Sequence, residues 1–228
     1  MASSPVLLLL GAGKNIGLHT ANLFSKNGYK VALASRSGLP LSETKDDLLN
    51  IKADFADPSS LSTVFSEVKS KLGAPSVVIY NAYAYTFTPE PLSQPVPEFQ
   101  NSMTVSITSG YAALKAAAEA FSTLPADITK TFIYTGNRLN IEPMPKLLDL
   151  GVGKAASAHL IQAMSMVFQG ENSNFYYADE RKADGSPIGQ IVGGQNHAEF
   201  FLKLASEKTQ GAWDATFVGN EFVDFGGK

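Results

Sequence analysis

An apolar run that stops at a glycine constrains this chain more than any other stretch. Residues Val6–Leu10 are consecutive apolar residues, and their number fits a buried parallel strand. Gly11, Gly13 and Gly17 follow, and apolar residues at helical spacing begin at Ile16. A strand, a glycine turn and a helix start form a cradle whose backbone N–H groups and helix dipole accept dinucleotide phosphates. The sequence therefore predicts a dinucleotide site at the start of an α/β fold.

Strand and helix patterns alternate along the rest of the chain. Further strands are predicted at 30–35, 51–55, 76–82, 131–135, 175–178 and 215–218. Helices are predicted at 57–72, at about 97–123, through 154–168 and at 197–206, while 84–98 reads as an irregular loop and 38–50 holds at most a short helix. This alternation predicts a three-layer, Rossmann-like, doubly wound parallel sheet of about seven strands with helices on both faces. We expect one domain over residues 1–228.

Composition excludes several classes of function. The net charge of -3 and the lack of a basic run argue against nucleic acid or an anionic membrane as partner. The chain has no cysteine and only three scattered histidines, so neither a disulfide nor a metal site is expected. No apolar run approaches the roughly 18 residues of a membrane span. The predicted location is cytoplasmic, and the expected partner is a small-molecule substrate.

These residues resemble the short-chain dehydrogenase/reductase family over essentially the whole chain. That family opens with Thr-Gly-x-x-x-Gly-Ile-Gly, which Gly11 and Ile16-Gly17 match. Asn15 stands at the middle glycine, and asparagine is the non-glycine residue that best tolerates a left-handed backbone. The resemblance implies nucleotide contacts at Gly11, Gly13, Asn15, Ile16 and Gly17.

The ends of the next strands indicate which nucleotide binds. The second strand ends in Ser35-Arg36 rather than in the acid that would hold a ribose 2′-hydroxyl. A guanidinium there suits a 2′-phosphate, so NADP(H) is favoured over NAD(H); the alternative is a solvated surface arginine. Asp54-Phe55 resembles the family's adenine-contacting pair. Asn81-Ala82 retains half of the family's Asn-Asn-Ala-Gly, so both pairs are predicted to contact the cofactor.

The catalytic positions depart from the family's pattern. Lys154 matches the lysine of Tyr-x-x-x-Lys, but Leu150 stands where the tyrosine belongs. Asn137 occupies the family's serine position, and Ser106 occupies that of its helical asparagine. By resemblance, Lys154 would hold the nicotinamide ribose, and the Asn137 amide would donate to a developing oxyanion. Leucine cannot donate a proton, so the proton would come from another side chain or from water, or would be unnecessary for an already charged imine.

Replacement acids are expected near the carboxyl ends of the strands, where ligands bind in such folds. Tyr83 and Tyr85 follow the fourth strand, and Arg138 follows the fifth. We place Tyr83 with Lys154, Asn137 and Ser106 among the catalytic candidates. The run 179–181, Asp-Glu-Arg, is expected to shape a substrate pocket, or else to form surface ion pairs.

The main hypothesis is an atypical NADP(H)-dependent oxidoreductase acting on a small carbonyl or imine. Two alternatives stay open: an isomerase, lyase or cyclase on the same scaffold, and a catalytically silent NADP-binding regulatory protein. The alanine-rich helix around 110–120 and the helix after Lys154 carry small residues that permit close packing. A homodimer or homotetramer through these helices is expected, with packing inside the monomer as the competing account.

Overall fold

The sheet extends on both sides of the first strand. A computed structural model describes residues 4–39 and 48–226. Its eight strands run in the order β3-β2-β1-β4-β5-β6-β7-β8. They are β1 (Val6–Leu10), β2 (Lys30–Ser35), β3 (Leu49–Lys52), β4 (Val77–Tyr80), β5 (Lys130–Thr135), β6 (Ser173–Glu180), β7 (Asp214–Val218) and β8 (Glu221–Phe222). The predicted doubly wound α/β fold is confirmed. The predicted strand number is one short, because the antiparallel β8 has two residues and so shows no periodicity.

Helices cover both faces of this sheet. They are α1 (Ile16–Lys26), α2 (Ser60–Lys71), α3 (Val96–Met103), α4 (Ser109–Ser122), α5 (Leu148–Val167) and α6 (Gly194–Ser206). Leu8 and Leu10 lie in the core with α2, α4 and α5, while Leu7 and Leu9 lie in the core with α1 and α6. Successive strand side chains point to opposite faces, which explains why β1 is apolar throughout. Within the described residues, none of these helices has the length and apolarity to cross a membrane.

Several element boundaries differ from the sequence prediction. The third strand was predicted at 51–55 but lies at 49–52, and residues 40–47 of the neighbouring 38–50 segment lie outside the described residues. The helix predicted from Asp57 begins at Ser60. The Asp57 carboxylate accepts the N–H and the Oγ–H of Ser59, at 3.0 and 2.7 Å. Asp57 thus closes a separate turn before the helix instead of capping it.

The helix predicted over 97–123 contains a π-helical turn at 104–108, between α3 and α4. The Tyr80 hydroxyl donates to the Val105 carbonyl at 2.5 Å, and the Tyr134 hydroxyl donates to the Ser106 carbonyl at 2.8 Å. Burial raises the pKa of both tyrosines above the ordinary value, so both stay protonated donors. These two phenols from β4 and β5 satisfy carbonyls at the widened turn, and the turn places Ser106 at the side of α5.

Candidate active site

The glycine turn after β1 is pressed against the end of β4. Gly11 has φ +88, and a Cβ added there would lie 2.4 Å from the Ala82 backbone nitrogen. The Asn81 side-chain Nδ2 donates to the Gly11 carbonyl at 2.9 Å. Only glycine fits this conformation and this approach, so the structure brings together Gly11, Asn81 and Ala82 as the sequence predicts.

The next residues of the turn have different surroundings. A Cβ added at Gly13 would meet no atom within 4 Å, so the absence of a side chain here is not required by packing. A Cβ at Gly17 would approach the backbone of Ala12 at 3.0 Å, and this close approach sets the start of α1. Ile16 is the first residue of that helix and is half-buried. Gly13 thus leaves its backbone accessible, as a phosphate cradle requires.

Asn15 does not adopt the left-handed conformation that the sequence suggests. Its φ is -88, and its Nδ2 donates to the Val192 carbonyl at 3.0 Å. A Cβ on Gly194 would lie 2.2 Å from the Asn15 Oδ1. Asn15 therefore links the glycine turn to the β6–α6 connection. The expectation of left-handed backbone is wrong because this long-range contact, invisible in the local sequence, sets its conformation.

A surface pocket of about 370 Å³ lies at the ends of β2 and β3 and is lined by Arg36, Lys52, Ala53 and Asp54. Arg36 and Lys52 are both exposed cations, and β3 pairs with β2 so that Lys52 lies beside Ser35. The Ser35 Oγ accepts the Gly38 N–H at 3.0 Å and so shapes the turn that carries Arg36. Lys52 was missed by the sequence analysis, because only strand pairing places it next to Arg36.

The predicted adenine-contacting pair is divided between the pocket and the core. Asp54 is exposed in the pocket, and its Oδ1 accepts the Ala56 N–H at 3.0 Å. The Phe55 ring is buried 6.0 Å from the Tyr80 ring, and its carbonyl accepts the Ser109 hydroxyl at 2.6 Å. Of the two, only the Asp54 side chain faces the pocket.

Lys154 lies buried on α5 at the carboxyl end of β5. Its Nζ donates to the Thr135 carbonyl at 2.6 Å. The same Nζ is 5.1 Å from the centroid of the Tyr134 ring and 6.0 Å from that of the Tyr83 ring. Burial lowers the pKa of Lys154 to about 8, against the opposing charge of Asp179. Lys154 and Tyr83, two of the four catalytic candidates, thus lie near each other although they are far apart in sequence.

Asn137 and Ser106 both lie next to these elements. The Asn137 Oδ1 accepts the Leu139 N–H at 3.0 Å, so only its Nδ2 group is left to face a substrate oxygen. The Tyr177 hydroxyl accepts the Asn137 N–H at 3.1 Å and donates to its carbonyl at 2.8 Å. Within residues 4–39 and 48–226, the buried Ser106 Oγ has no hydrogen-bond partner. It would lie 3.2 Å from a Cβ on Gly153, the neighbour of Lys154.

The acidic and basic run at 179–181 is buried, so the alternative of surface ion pairs is wrong, while its role in shaping a substrate pocket stays a prediction. Arg181 Nε donates to the Asp179 Oδ2 at 2.5 Å. Burial raises the pKa of Asp179 to about 6 despite this guanidinium. Glu180 accepts the Gly193 N–H and the Asn196 Nδ2 at 2.8 Å each, at the start of α6. The sequence does not predict that Asp179 and Glu180 are buried, because β6 extends two residues beyond its apolar run.

Asp149, at the start of α5, is a buried residue that the sequence analysis missed. Its Oδ2 accepts the Thr86 N–H at 2.8 Å, the Gln94 Nε2 at 2.8 Å and the Ser102 Oγ at 2.7 Å, and its Oδ1 accepts the Leu150 N–H at 2.7 Å. Its carboxylate therefore joins the segment after β4 to α3 and α5. Leu150, the next residue, is also buried.

Comparisons with known proteins agree with this architecture. The family model of the short chain dehydrogenases matches residues 5–171. A short chain dehydrogenase/reductase, dmxR12, from Cryptosporiopsis sp. (strain 8999) is 38% identical over 98% of this chain and 96% of its own. Among solved structures, a metagenomic short-chain oxidoreductase in complex with NADP superposes with a TM-score of 0.80 at 14% identity, over 95% of this chain and 97% of that one. The 3-ketoacyl-(acyl-carrier-protein) reductase from Brucella melitensis, complexed with NADH, has a TM-score of 0.80 at 16% identity, over 95% and 98%. These structural likenesses show the fold, and together with the family match they establish that the chain belongs to the short chain dehydrogenase family.

Proposed function

We propose that this protein is an NADP(H)-dependent oxidoreductase that interconverts a carbonyl or imine substrate and its reduced form, with Tyr83 as the proton donor. The observation that carries the proposal is the buried ammonium of Lys154 at 6.0 Å from the Tyr83 ring. Tyr83 follows β4 and Lys154 contacts the end of β5, so the pair lies at the edge of the sheet where this fold binds ligands.

The residues present fit a phosphorylated dinucleotide. Gly11 allows the tight turn, and Gly13 leaves its backbone accessible to a pyrophosphate at the start of α1. Arg36 and Lys52 would flank a 2′-phosphate in the pocket that they share with Asp54. The solved relatives include one with NADP and one with NADH, so the choice of NADP(H) depends on these two cations. When bound, the nicotinamide supplies or accepts the hydride.

In this proposal, the protein's own residues donate the proton and stabilise the charge that develops on the substrate. The buried Lys154 ammonium, over the Tyr83 ring, would stabilise negative charge that develops on the reacting atoms beside it. Tyr83 then donates its proton to the substrate oxygen or nitrogen as negative charge develops there. The Asn137 Nδ2 group donates a hydrogen bond to the same atom. In this proposal, Tyr83, after the end of β4, takes the role of the family's tyrosine, whose position Leu150 occupies.

Removing the Tyr83 hydroxyl tests this assignment. We expect Tyr83→Phe to lower kcat for carbonyl reduction by about 10²- to 10⁴-fold, the range for a lost acid–base group, while NADPH affinity stays unchanged. The rate is followed by the loss of NADPH absorbance. Tyr111→Phe is the control, because Tyr111 on α4 is 55% exposed and Tyr83 is 56% exposed. If Tyr85→Phe loses activity and Tyr83→Phe keeps it, the proton donor is Tyr85 and our assignment of Tyr83 is wrong.

Arg36 and Lys52 should determine the nucleotide preference. Replacing either with alanine removes a charge-assisted contact to the 2′-phosphate and should weaken NADPH binding by about 10-fold or more. NADH affinity should change little, because NADH lacks that phosphate. Both affinities are measured by fluorescence titration, with the exposed Lys71→Ala on α2 as control. An equal loss of NADPH and NADH binding would contradict a 2′-phosphate site here.

A further inference from the structure

Three aromatic side chains are exposed along the segment that follows β4. Tyr83, Tyr85 and Phe87, which we call the aromatic strip, are 56%, 45% and 59% exposed. The Tyr83 and Tyr85 rings stack with centroids 6.0 Å apart and planes at 24°. Tyr83 and Tyr85 thus present neighbouring aromatic rings to solvent, and exposed apolar patches on soluble proteins are typical of binding sites.

The strip is held in place by backbone hydrogen bonds on both sides of Phe87. The Thr86 N–H donates to the buried Asp149 carboxylate at 2.8 Å, and the Thr88 N–H donates to the Lys146 carbonyl at 3.2 Å. Gln94 ties the far end of the segment to the same Asp149 oxygen at 2.8 Å. Because Asp149 is fully buried, these donors are anchored to the rigid start of α5. The rings are therefore exposed on a fixed segment.

The strip begins at the proposed reacting centre and is uncharged. Its first ring, Tyr83, lies 6.0 Å from the Lys154 ammonium. Residues 81–89 include no charged side chain. Arg138, the cation that follows β5, is engaged by Glu142 and by the Gly185 carbonyl. A ligand on the strip would thus meet aromatic faces beyond the reacting atom, and no residue from 81 to 89 offers it a charge.

We propose, on the basis of the function proposed above, that the substrate is a neutral, planar, fused-ring aromatic carbonyl compound that stacks on the aromatic strip. Asp149 is the positioning residue that aligns the strip with Lys154. Reduction adds a hydride from NADPH to the carbonyl carbon and a proton from Tyr83 to the carbonyl oxygen, which gives an alcohol and NADP⁺. Solvent then returns a proton to Tyr83. Stacking favours flat rings over saturated rings of equal size, so the strip selects by planarity.

Binding of a matched pair of ketones tests the substrate class without turnover. The probes are 2-acetylnaphthalene and its saturated counterpart 2-acetyldecalin, titrated by calorimetry into the full-length protein saturated with NADP⁺. We expect the planar ketone to bind about 10-fold more tightly. Tyr85→Leu and Phe87→Leu should each weaken its binding by about 3- to 10-fold while changing 2-acetyldecalin binding less than about twofold. Tyr111→Leu, on α4, should leave both affinities unchanged.

Several outcomes would overturn the proposal or separate it from the proposed function. Equal affinity for the two ketones, or no effect of the strip variants, overturns the substrate class. A change in sedimentation of Phe87→Leu without planar selectivity overturns it as well, because the strip would then join copies of the chain. If 2-acetylnaphthalene binds through the strip but NADPH never reduces it or any other carbonyl, the strip is supported and the oxidoreductase assignment fails.

The positioning role of Asp149 has its own readout. Asp149→Asn keeps the side-chain volume but replaces one acceptor oxygen with a donor that faces N–H and O–H groups. We expect KM for 2-acetylnaphthalene to rise about 10-fold more than KM for acetone, while the NADPH affinity stays unchanged. A KM that rises equally for 2-acetylnaphthalene and acetone would make Asp149 merely structural and overturn its positioning role.

Discussion

Replacing Lys154 with methionine is expected to lower kcat/KM for carbonyl reduction by about 10³-fold. The substitution keeps an apolar stem of similar length but removes the buried cation that, in our proposal, stabilises negative charge developing beside Tyr83 and would hold the nicotinamide ribose. Since Lys154 is buried against the Thr135 carbonyl and the Tyr134 ring, no solvated charge can take its place. Lys115→Met on α4 is the control, because its ammonium is exposed beside Glu119. Full activity in Lys154→Met would contradict the proposed site.

The pH profile of the unmodified protein should report the same group. Burial lowers the pKa of Lys154 to about 8, and the protonated form is the active one in our proposal. The kcat/KM for NADPH, which reports groups of the free enzyme, should therefore fall as pH rises above about 8. The Asp179 charge raises the pKa of Lys154, so Asp179→Asn should move this fall to lower pH. If the fall in kcat/KM at high pH occurs at the same pH in Asp179→Asn, a group other than Lys154 is responsible for it.

Replacing Gly11 with alanine should cause the largest loss of stability. The new Cβ would lie 2.4 Å from the Ala82 nitrogen and 2.6 Å from its Cα, and both atoms belong to backbone that cannot rotate away. The residue would also have to keep φ +88, which L side chains rarely adopt. We expect a cost of about 3 kcal/mol or more in the free energy of unfolding, measured by chemical denaturation.

Gly13→Ala is the matched control in the same turn. Its Cβ would meet no atom within 4 Å, so the free energy of unfolding should change by less than about 1 kcal/mol. NADPH binding should nevertheless weaken, because the methyl group would occupy the space that a pyrophosphate needs. Gly11→Ala is thus expected to affect mainly the stability of the fold, and Gly13→Ala mainly the binding of NADPH. Normal NADPH affinity in Gly13→Ala would contradict the phosphate cradle.

Much of the fold is predictable because its signals are local. The apolar run of β1 predicts burial on both faces, and the structure places its residues in both cores. The spacing around Lys154 places this residue on a helix, and the helix begins at Leu148. Boundaries are less predictable. The Asp57 side chain closes a turn that delays α2, and the buried charges at 179–180 extend β6 past its apolar residues.

Local sequence is enough to predict the glycine turn, the alternation of strands and helices, and which residues lie near the carboxyl edge of the sheet. These depend on side-chain polarity and periodicity within a few neighbouring residues. Long-range packing, in contrast, joins Asn15 to Val192, sets Lys52 beside Arg36 and anchors the segment carrying Tyr83 to Asp149. The same packing brings Tyr83 beside Lys154. The reason is physical: strand order and burial bring these residues together across long sequence separations, and no local pattern records such contacts.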